Sequence, residues 1–130
     1  LTAAEMVTVR ASPAGELEVL LTRRPADDPY FANLWHIPGS IYIPGDTMQS
    51  RPEAVIETEL PRTVVTSEPI LINNSILRDY GRGPIMERVY LVHATESADG
   101  QFFPVEHLPK DLLTGHDRLI KFVVRYLRDN

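Results

Sequence analysis

The stretch Leu34–Leu60 reads LWHIPGSIYIPGDTMQSRPEAVIETEL and carries the clearest local pattern of the chain. Leu34–Ile37 is a short apolar and aromatic run that predicts a strand ending at a Pro-Gly pair. Ser40–Ile43 predicts a second short strand, because the residues directly behind it, 44–46 (PGD), are turn chemistry. Two short strands therefore lead the chain into the helical pattern that follows.

A helix is predicted from Arg51 to Leu60. Ser50 and Glu53 have the spacing of a capping box, in which the Ser side chain caps a backbone N–H and the Glu reaches back to the Ser N–H. Pro61 lacks the N–H that a helix needs and clashes with the preceding turn, so the helix should end or kink near Leu60. The stretch thus predicts the order strand, strand, helix.

Strands and turns fill most of the remaining chain, and a second helix closes it. Strands are predicted at Ala4–Ala11, Leu17–Arg23, Ile70–Leu77 and Glu87–Ala94, with a Gly- and Pro-rich hairpin loop at residues 78–84. The apolar stripe near the C-terminus predicts a helix from Thr114 to Leu127, with Thr114 as its N-cap. Six or seven strands and two helices predict one α/β (α+β) domain over residues 1–130.

Composition excludes several function classes. The chain carries 13 basic and 18 acidic side chains, and its net charge of -5 disfavours a broad nucleic-acid interface. No apolar run approaches the roughly 20 residues that cross a bilayer, so no membrane insertion is predicted. Because the sequence has no cysteine, it has no disulfide, no thiolate zinc site and no thiol nucleophile.

Other sequence features concern location and enzyme class. The sequence begins at Leu1 without a charged and apolar leader, so we expect a cytoplasmic protein without a secretory signal, trimmed from a longer native chain. The motifs GxSxG, GxxxxGKS/T and GxGxxG do not occur in it. Their absence argues against an α/β-hydrolase, a P-loop enzyme and a Rossmann dehydrogenase.

The quoted stretch resembles the signature region of the Nudix hydrolases. The matching letters are Leu34-Trp35, Pro38-Gly39, Gly45 and Glu59-Leu60, and the resemblance runs from the LEVLLTRR strand to the final FFPVEHLPKDLLTGHDRLI segment. It implies the Nudix fold, a mixed β-sheet sandwiched between the two predicted helices. It also implies a nucleoside-diphosphate-linked ligand and hydrolysis of a phosphoanhydride, with Mg²⁺ or Mn²⁺ held by acids of the signature helix.

The stretch departs from the family pattern where the metal ligands belong. Ser40 replaces the second Gly of the pattern, Ile43 replaces an acid, and Asp46 replaces Glu. Further along, Thr58 replaces Arg, Arg62 and Thr63 replace the paired Glu, and Val65 replaces Gly. Glu59 is the one acid of the helix motif that remains. A guanidinium at Arg62 would repel a cation in the same volume by on the order of 4 kcal/mol. The usual metal site, and with it hydrolysis, is therefore expected to be weakened or lost.

A displaced carboxylate set is the alternative that keeps the chain active. Glu53 and Glu57 are four residues apart on the predicted helix and share a face, with Glu59 near the next turn. These three are the metal candidates for Mg²⁺ or Mn²⁺, and Glu57 and Glu59 are the catalytic candidates. Against this stands a simpler interpretation, in which Glu53 serves the cap and Glu57 is a solvated charge. In that case the chain has no metal cofactor.

Four other residues are candidates for binding the ligand. Arg23 and Arg24 end a strand that borders the cleft in family members, where a guanidinium grips a diphosphate. Trp35 offers a ring for stacking on a base, although core packing is the competing interpretation. Arg62 adds a further cation near the cleft.

The histidines give no metal site in the sequence pattern. His36 and His116 lack ligand partners at useful spacing, so they are interpreted as surface or capping residues and no zinc site is predicted.

Two classes of function remain. The chain is either a divergent Nudix hydrolase or a catalytically silent Nudix-fold module that binds a nucleotide-like small molecule or a protein partner. No nucleic-acid or membrane partner is predicted, and both a monomer and a homodimer stay open.

Overall fold

The computed structural model describes residues 1–79 and 83–130. Its elements are β1 Thr2–Ala11, β2 Leu17–Arg23, β3 Trp35–His36, β4 Gly39–Ile41, α1 Ser50–Glu59, β5 Thr63–Val65, β6 Ile70–Asp79, β7 Pro84–Ser97, β8 Gln101–Pro104 and α2 His116–Asp129. The strands of the described residues form one mixed sheet, in which β1 and β7 are parallel neighbours and the other pairs are antiparallel.

Strand β1 has two different partners along the same edge. Its C-terminal part pairs with β2, beginning at Val9 opposite Val19, whereas its N-terminal part pairs with β4, where Glu5 lies opposite Gly39. Strand β3 pairs with the end of β2 instead. Between these two pairings the Met6 N–H of β1 donates to the Pro38 carbonyl oxygen at 2.8 Å. Ala3, Glu5 and Gly39 from this edge line the cleft described below.

The two faces of the sheet have separate cores, as the period of two along a strand requires. On one face Ala4 and Met6 pack with Val55 of α1. On the other face Val7 and Val9 pack with a group from α2 that includes Leu119, Ile120 and Val123. One helix covers each face, which confirms the predicted mixed sheet between two helices.

Helix α1 ends where proline was expected to stop it. Its last residue is Glu59, Leu60 is the C-cap, and Arg62 lies in a turn before β5. The prediction of a capping box at Ser50 and Glu53, however, is wrong. Gln49 is the N-cap, and the Ser50 hydroxyl instead donates to Asp46 Oδ1 at 3.1 Å and accepts from the Thr47 N–H at 2.7 Å. The acid of the preceding turn competes successfully for the Ser50 side chain.

Thr114 is not the N-cap of α2. The helix begins at His116, and Gly115 occupies the N-cap position with φ 91°. Arg78 donates to the carbonyl oxygens of Thr114 and Gly115 at 3.0 and 3.2 Å, and its guanidinium fills the space that a side chain at position 115 would need. Because residue 115 is a glycine, Arg78 of β6 can approach closely and hydrogen-bond the start of α2.

Two short strands, β5 and β8, have no counterpart among the strands predicted above. The predicted hairpin loop at 78–84 is flanked by β6 and β7, which pair up to Asp79 opposite Pro84, and its residues 80–82 lie outside the described part of the chain. In the described ranges, no helix has the length and apolar character to cross a membrane.

Candidate functional site

The cleft consists of two adjoining cavities, named here the outer and the inner chamber. The outer chamber has a volume of about 450 Å³ and is lined by residues that include Arg23, Arg24, Asp28, Glu59 and Asp99. The inner chamber has a volume of about 190 Å³ and is lined by residues that include Glu5, Phe31, Ile37, Ile85, Leu113 and His116. Arg24, His36 and Gly39 line both chambers, so one ligand can extend across them.

Arg24 is held in place by the loop that follows β2. Its Nε donates to Asp28 Oδ2 at 3.0 Å, and its Nη2 donates to the same oxygen. The other oxygen of Asp28 accepts the backbone N–H groups of Tyr30 and Phe31 at 2.9 and 2.8 Å. These two N–H groups, followed by Arg24, lower the pKa of Asp28 to about 2. The carboxylate is therefore ionised at neutral pH and fixes Arg24 between the chambers.

Arg23 lies at the rim of the outer chamber. It donates to Asp111 at 2.7 Å, and both side chains of this pair are about half exposed. Its guanidinium also lies 4.6 Å from the ring centroid of Trp35. Trp35 itself packs edge-on against Phe103 at 4.9 Å and lies outside both chambers, as the core-packing interpretation requires.

The three acidic side chains of α1 do not lie in one site. Val55 is buried, and Glu53 and Glu57 are exposed on the other side of α1, outside both chambers. Glu59, the last residue of the helix, lines the outer chamber. The Arg62 side chain is 72% exposed, and its Nε lies 3.5 Å from Asp99 Oδ1. Arg62 itself lies outside both chambers. The structure thus brings together Arg23, Arg24 and Glu59 among the residues that the sequence singled out.

Most acids near the outer chamber are already engaged by the protein. Asp99 accepts the Arg62 N–H at 2.8 Å and the Thr63 hydroxyl at 2.6 Å, and Asp28 is bonded to Arg24. Asp46, which stands where the family has Glu, accepts from Arg51 at 2.7 Å, and this bond lowers its pKa. Glu59 is the remaining carboxylate of the chamber lining, opposite two guanidinium groups. Mg²⁺ needs several oxygen ligands, so this donor set does not fit it.

A cluster of polar groups at the inner chamber was not predicted from the sequence. Glu5, Glu87 and His116 are 9%, 0% and 2% exposed, and ligand atoms of all three lie within 4.8 Å of one another. The interpretation of His116 as a surface or capping residue is wrong. Its Nδ1 accepts the backbone N–H of Ile37 at 2.9 Å, in the interior of the protein.

His36 is also more enclosed than expected. Its Nε2 lies 3.0 Å from the hydroxyl of Thr22, and burial, followed by the charge of Arg24, lowers its pKa to about 4. His36 is therefore neutral at physiological pH and lies between the two chambers.

Glu5 and Glu87 are buried next to each other at the wall of the inner chamber. Their side chains are hydrogen-bonded to each other, and burial, followed by the charge of Glu87, raises the pKa of Glu5 well above its ordinary value. Arg78 Nε lies 3.4 Å from Glu87 Oε1, so a positive charge faces the Glu87 side of the pair.

The same cluster is unsuited to a metal ion. Burial, followed by His36 and then Arg78, lowers the pKa of His116 to about 3, so its ring is neutral. Because Nδ1 accepts from Ile37, the ring proton lies on Nε2. A metal at Nε2 would displace that proton to Nδ1, against the Ile37 N–H. The cluster therefore does not fit a metal ion.

Comparisons with known proteins give similarity at the level of structure. No protein-family model and no curated protein matches the sequence. Similar solved structures include a MutT/Nudix family protein from Listeria innocua, with TM-score 0.72 and 18% identity over 98% of this chain and 94% of that one. The Nudix domain of Shewanella oneidensis NrtR, in complex with ADP-ribose, has TM-score 0.72 and 20% identity over 98% of this chain and 88% of that one.

A third similar structure is a binary complex of an Ap4A hydrolase from C. elegans. Its TM-score is 0.70, with 16% identity over 100% of this chain and 99% of that one. The similarity therefore covers whole folded domains at low sequence identity.

Proposed function

We propose that this chain, which adopts the Nudix fold, binds a nucleoside-diphosphate-linked compound in its cleft without a divalent metal, with hydrolysis weak or lost. One observation carries the proposal: Asp28 holds the guanidinium of Arg24 between the two chambers. A ligand that spans both chambers places its negative charge beside this cation.

The outer chamber suits the diphosphate. Arg24 uses Nε and Nη2 on Asp28, and the remaining N–H groups of its guanidinium are left for phosphate oxygens. Arg23 adds a second cation at the rim. Its exposed pair with Asp111 contributes roughly 0–1 kcal/mol, so the side chain can turn toward a ligand at little cost.

The inner chamber suits a flat ring. Its walls are largely apolar, with Phe31, Ile37 and Ile85 among them, and polar groups enter at Glu5 and His116. Its volume of about 190 Å³ is below the roughly 300–1,000 Å³ of sites that enclose whole drug-sized ligands. A single ring system is therefore the part that fits. ADP-ribose, the ligand in the Shewanella structure, joins such a ring to a diphosphate.

Weak or absent hydrolysis follows from the acids available for a metal. Among the acids of α1, Glu59 lines the outer chamber, and Glu53 and Glu57, the displaced set, lie outside it. Of the three carboxylates that line the outer chamber, Asp28 and Asp99 are bonded to other residues of the protein, which leaves Glu59 for Mg²⁺. Glu59 is also the residue that favours the second candidate function, a pyrophosphohydrolase with residual activity.

Calorimetry in EDTA tests the proposal. Nucleoside diphosphates and their sugar derivatives should bind with an affinity that falls as salt is added. Arg24→Ala should weaken binding by at least tenfold, and Arg23→Ala should weaken it by less. Arg128→Ala removes an exposed arginine that pairs with Glu106 far from the chambers and serves as the charge-matched control. Arg62→Ala should behave like that control, because Arg62 lies outside both chambers.

Two results would overturn the proposal. One is the absence of heat up to millimolar ligand across the panel. The other is binding that Arg24→Ala and Arg128→Ala change equally.

A further inference from the structure

His116, the first residue of α2, lies at the wall of the inner chamber. It is 2% exposed, and its Nδ1 accepts the backbone N–H of Ile37 at 2.9 Å. A backbone N–H is always a donor, so Nδ1 presents its lone pair to Ile37 and carries no proton. The single proton of the ring therefore lies on Nε2. This assignment follows from the hydrogen bond alone.

The Nε2 proton of His116 has no acceptor in the part of the chain that the structure describes. The ring is hydrogen-bonded to Ile37, and in the described residues it is not hydrogen-bonded to Glu5 or Glu87, which have oxygens within 4.8 Å of it. Nε2 is also not among the described side-chain atoms that the protein fully encloses, so the inner chamber gives access to it. Because a donor inside a protein is unfavourable without an acceptor, a ligand in the chamber can supply the missing group.

We propose that His116 determines which rings the inner chamber accepts, by donating a hydrogen bond from Nε2 to an acceptor atom of a flat heteroaromatic ring. The acceptor is a ring nitrogen or a ring carbonyl oxygen, as nucleobases present at their edges. This inference rests on the proposed function, since it concerns the ring of the same nucleoside-diphosphate-linked ligand.

The chamber combines this donor with apolar walls. Phe31, Ile37, Ile85 and Leu113 are among its lining residues, and such walls favour any flat ring of the right size. His116 adds a condition on polarity. Because Nε2 carries the proton, it pairs with an acceptor and stays unpaired against a ring N–H or C–H at the same place. Rings with an acceptor at this edge are therefore preferred over rings of the same shape without one.

Two substitutions separate the two nitrogens of His116. In His116→Asn the side-chain oxygen can take the place of Nδ1 and accept from Ile37, but the amide does not reach the position of Nε2. The longer side chain of His116→Gln brings an NH₂ group to that position and leaves the Ile37 N–H without its acceptor. Calorimetry in EDTA, with ADP-ribose and UDP-glucose as probes, should show the tighter-binding probe weakened about tenfold in His116→Asn and weakened less in His116→Gln.

Stability should rank the two variants in the opposite order. Urea unfolding should find His116→Gln less stable than His116→Asn, because the buried N–H of Ile37 loses its acceptor in the former. If His116 had a structural role alone, affinity would follow stability and His116→Gln would bind the probe more weakly. His107→Asn alters an exposed histidine outside both chambers and should leave the affinity unchanged.

The ligand side of the hydrogen bond is tested with analogues of the tighter-binding probe, in which one ring nitrogen is replaced by C–H or one ring carbonyl is removed. One analogue should bind wild type about as weakly as the parent probe binds His116→Asn. His116→Asn should bind that analogue no more weakly than wild type does, because both changes remove the same interaction. If no analogue binds wild type more weakly, or if the losses add for every analogue, the inference is overturned.

Inorganic pyrophosphate separates this inference from the proposed function. It fills the outer chamber alone, so its Arg24-dependent binding should be the same in wild type, His116→Asn and His107→Asn. If the nucleotide sugars bind through Arg24 but His116→Asn weakens them no more than His107→Asn does, the role of His116 is wrong and the proposed function stands. If neither sugar binds, both are wrong, whether or not pyrophosphate does.

Discussion

The Nδ1 atom of His116 accepts the backbone N–H of Ile37 at 2.9 Å. This bond connects the first residue of α2 to the segment between β3 and β4, on the two sides of the inner chamber. It also places the ring proton of His116 on Nε2. One hydrogen bond thus sets both the shape of the cleft and the protonation of its buried histidine.

Removing this acceptor should destabilise the fold. In His116→Ala the N–H of Ile37, a fully buried residue, loses its partner, which costs about 1–3 kcal/mol in addition to the cavity left by the ring. His116→Asn offers its side-chain oxygen at a similar position and should lose less. Urea unfolding of the two variants measures the difference, and equal losses would show that the hydrogen bond contributes nothing measurable.

Acid should destabilise the protein through its two buried histidines. The pKa values of His36 and His116 fall from 6.5 to about 4 and about 3 in the folded state. The unfolded chain therefore binds more protons than the folded one below pH 6.5, and stability is lost as pH falls from there toward the folded values. Each histidine contributes a slope of about 1.4 kcal/mol per pH unit. Unfolding measured between pH 7 and pH 4 should show this loss, and His116→Asn should reduce the slope.

Glu5 should act on stability in the opposite direction. Its folded pKa is raised above the ordinary 4.5, so its contribution is complete below pH 4.5 and is lost as pH rises through the folded value. Glu5→Gln removes this loss. The variant should therefore gain stability relative to wild type with increasing pH, while Glu18→Gln should not. Parallel stability curves for wild type and Glu5→Gln would show that Glu5 is ionised in the folded protein.

Hydrolysis should be negligible with Mg²⁺ or Mn²⁺. Active enzymes commonly turn over at 1–10³ per second, and Glu59, with Asp28 and Asp99 engaged by other residues, is not expected to support such rates. A phosphate-release assay on nucleoside-diphosphate-linked substrates checks this. Turnover in that range that Glu59→Gln abolishes and Glu57→Gln leaves intact would establish the residual hydrolase. Dependence on Glu57 and Glu53 would establish the displaced metal site.

The fold could be predicted because its determinants are local. The alternation at Met6 and Val7 divides the two cores, and Pro61 stops α1 at the expected place. The N-caps of the two helices were less predictable, since a nearby acid or arginine competes for the same hydrogen-bonding groups. Asp46 takes the side chain of Ser50, and Arg78 takes the carbonyl oxygen of Thr114.

The inner chamber could not be predicted from spacing. Glu5, Glu87 and His116 are far apart in the chain, and they meet because β1 and β7 pair in parallel while α2 crosses the sheet. One signal was present in the sequence: Glu5 interrupts an alternating row of apolar residues at Ala3, Val7 and Val9. An acid on a predicted core face indicates a buried, hydrogen-bonded carboxyl group.

The affinity of one ligand, measured with and without metal, distinguishes binding by Arg24 from binding through Mg²⁺. Calorimetry of a nucleoside diphosphate sugar in EDTA, and again in excess Mg²⁺, compares binding by protein cations with binding through a metal. The proposed function predicts the same affinity in both conditions, with loss of binding in Arg24→Ala. Binding that requires Mg²⁺ and survives Arg24→Ala would contradict it.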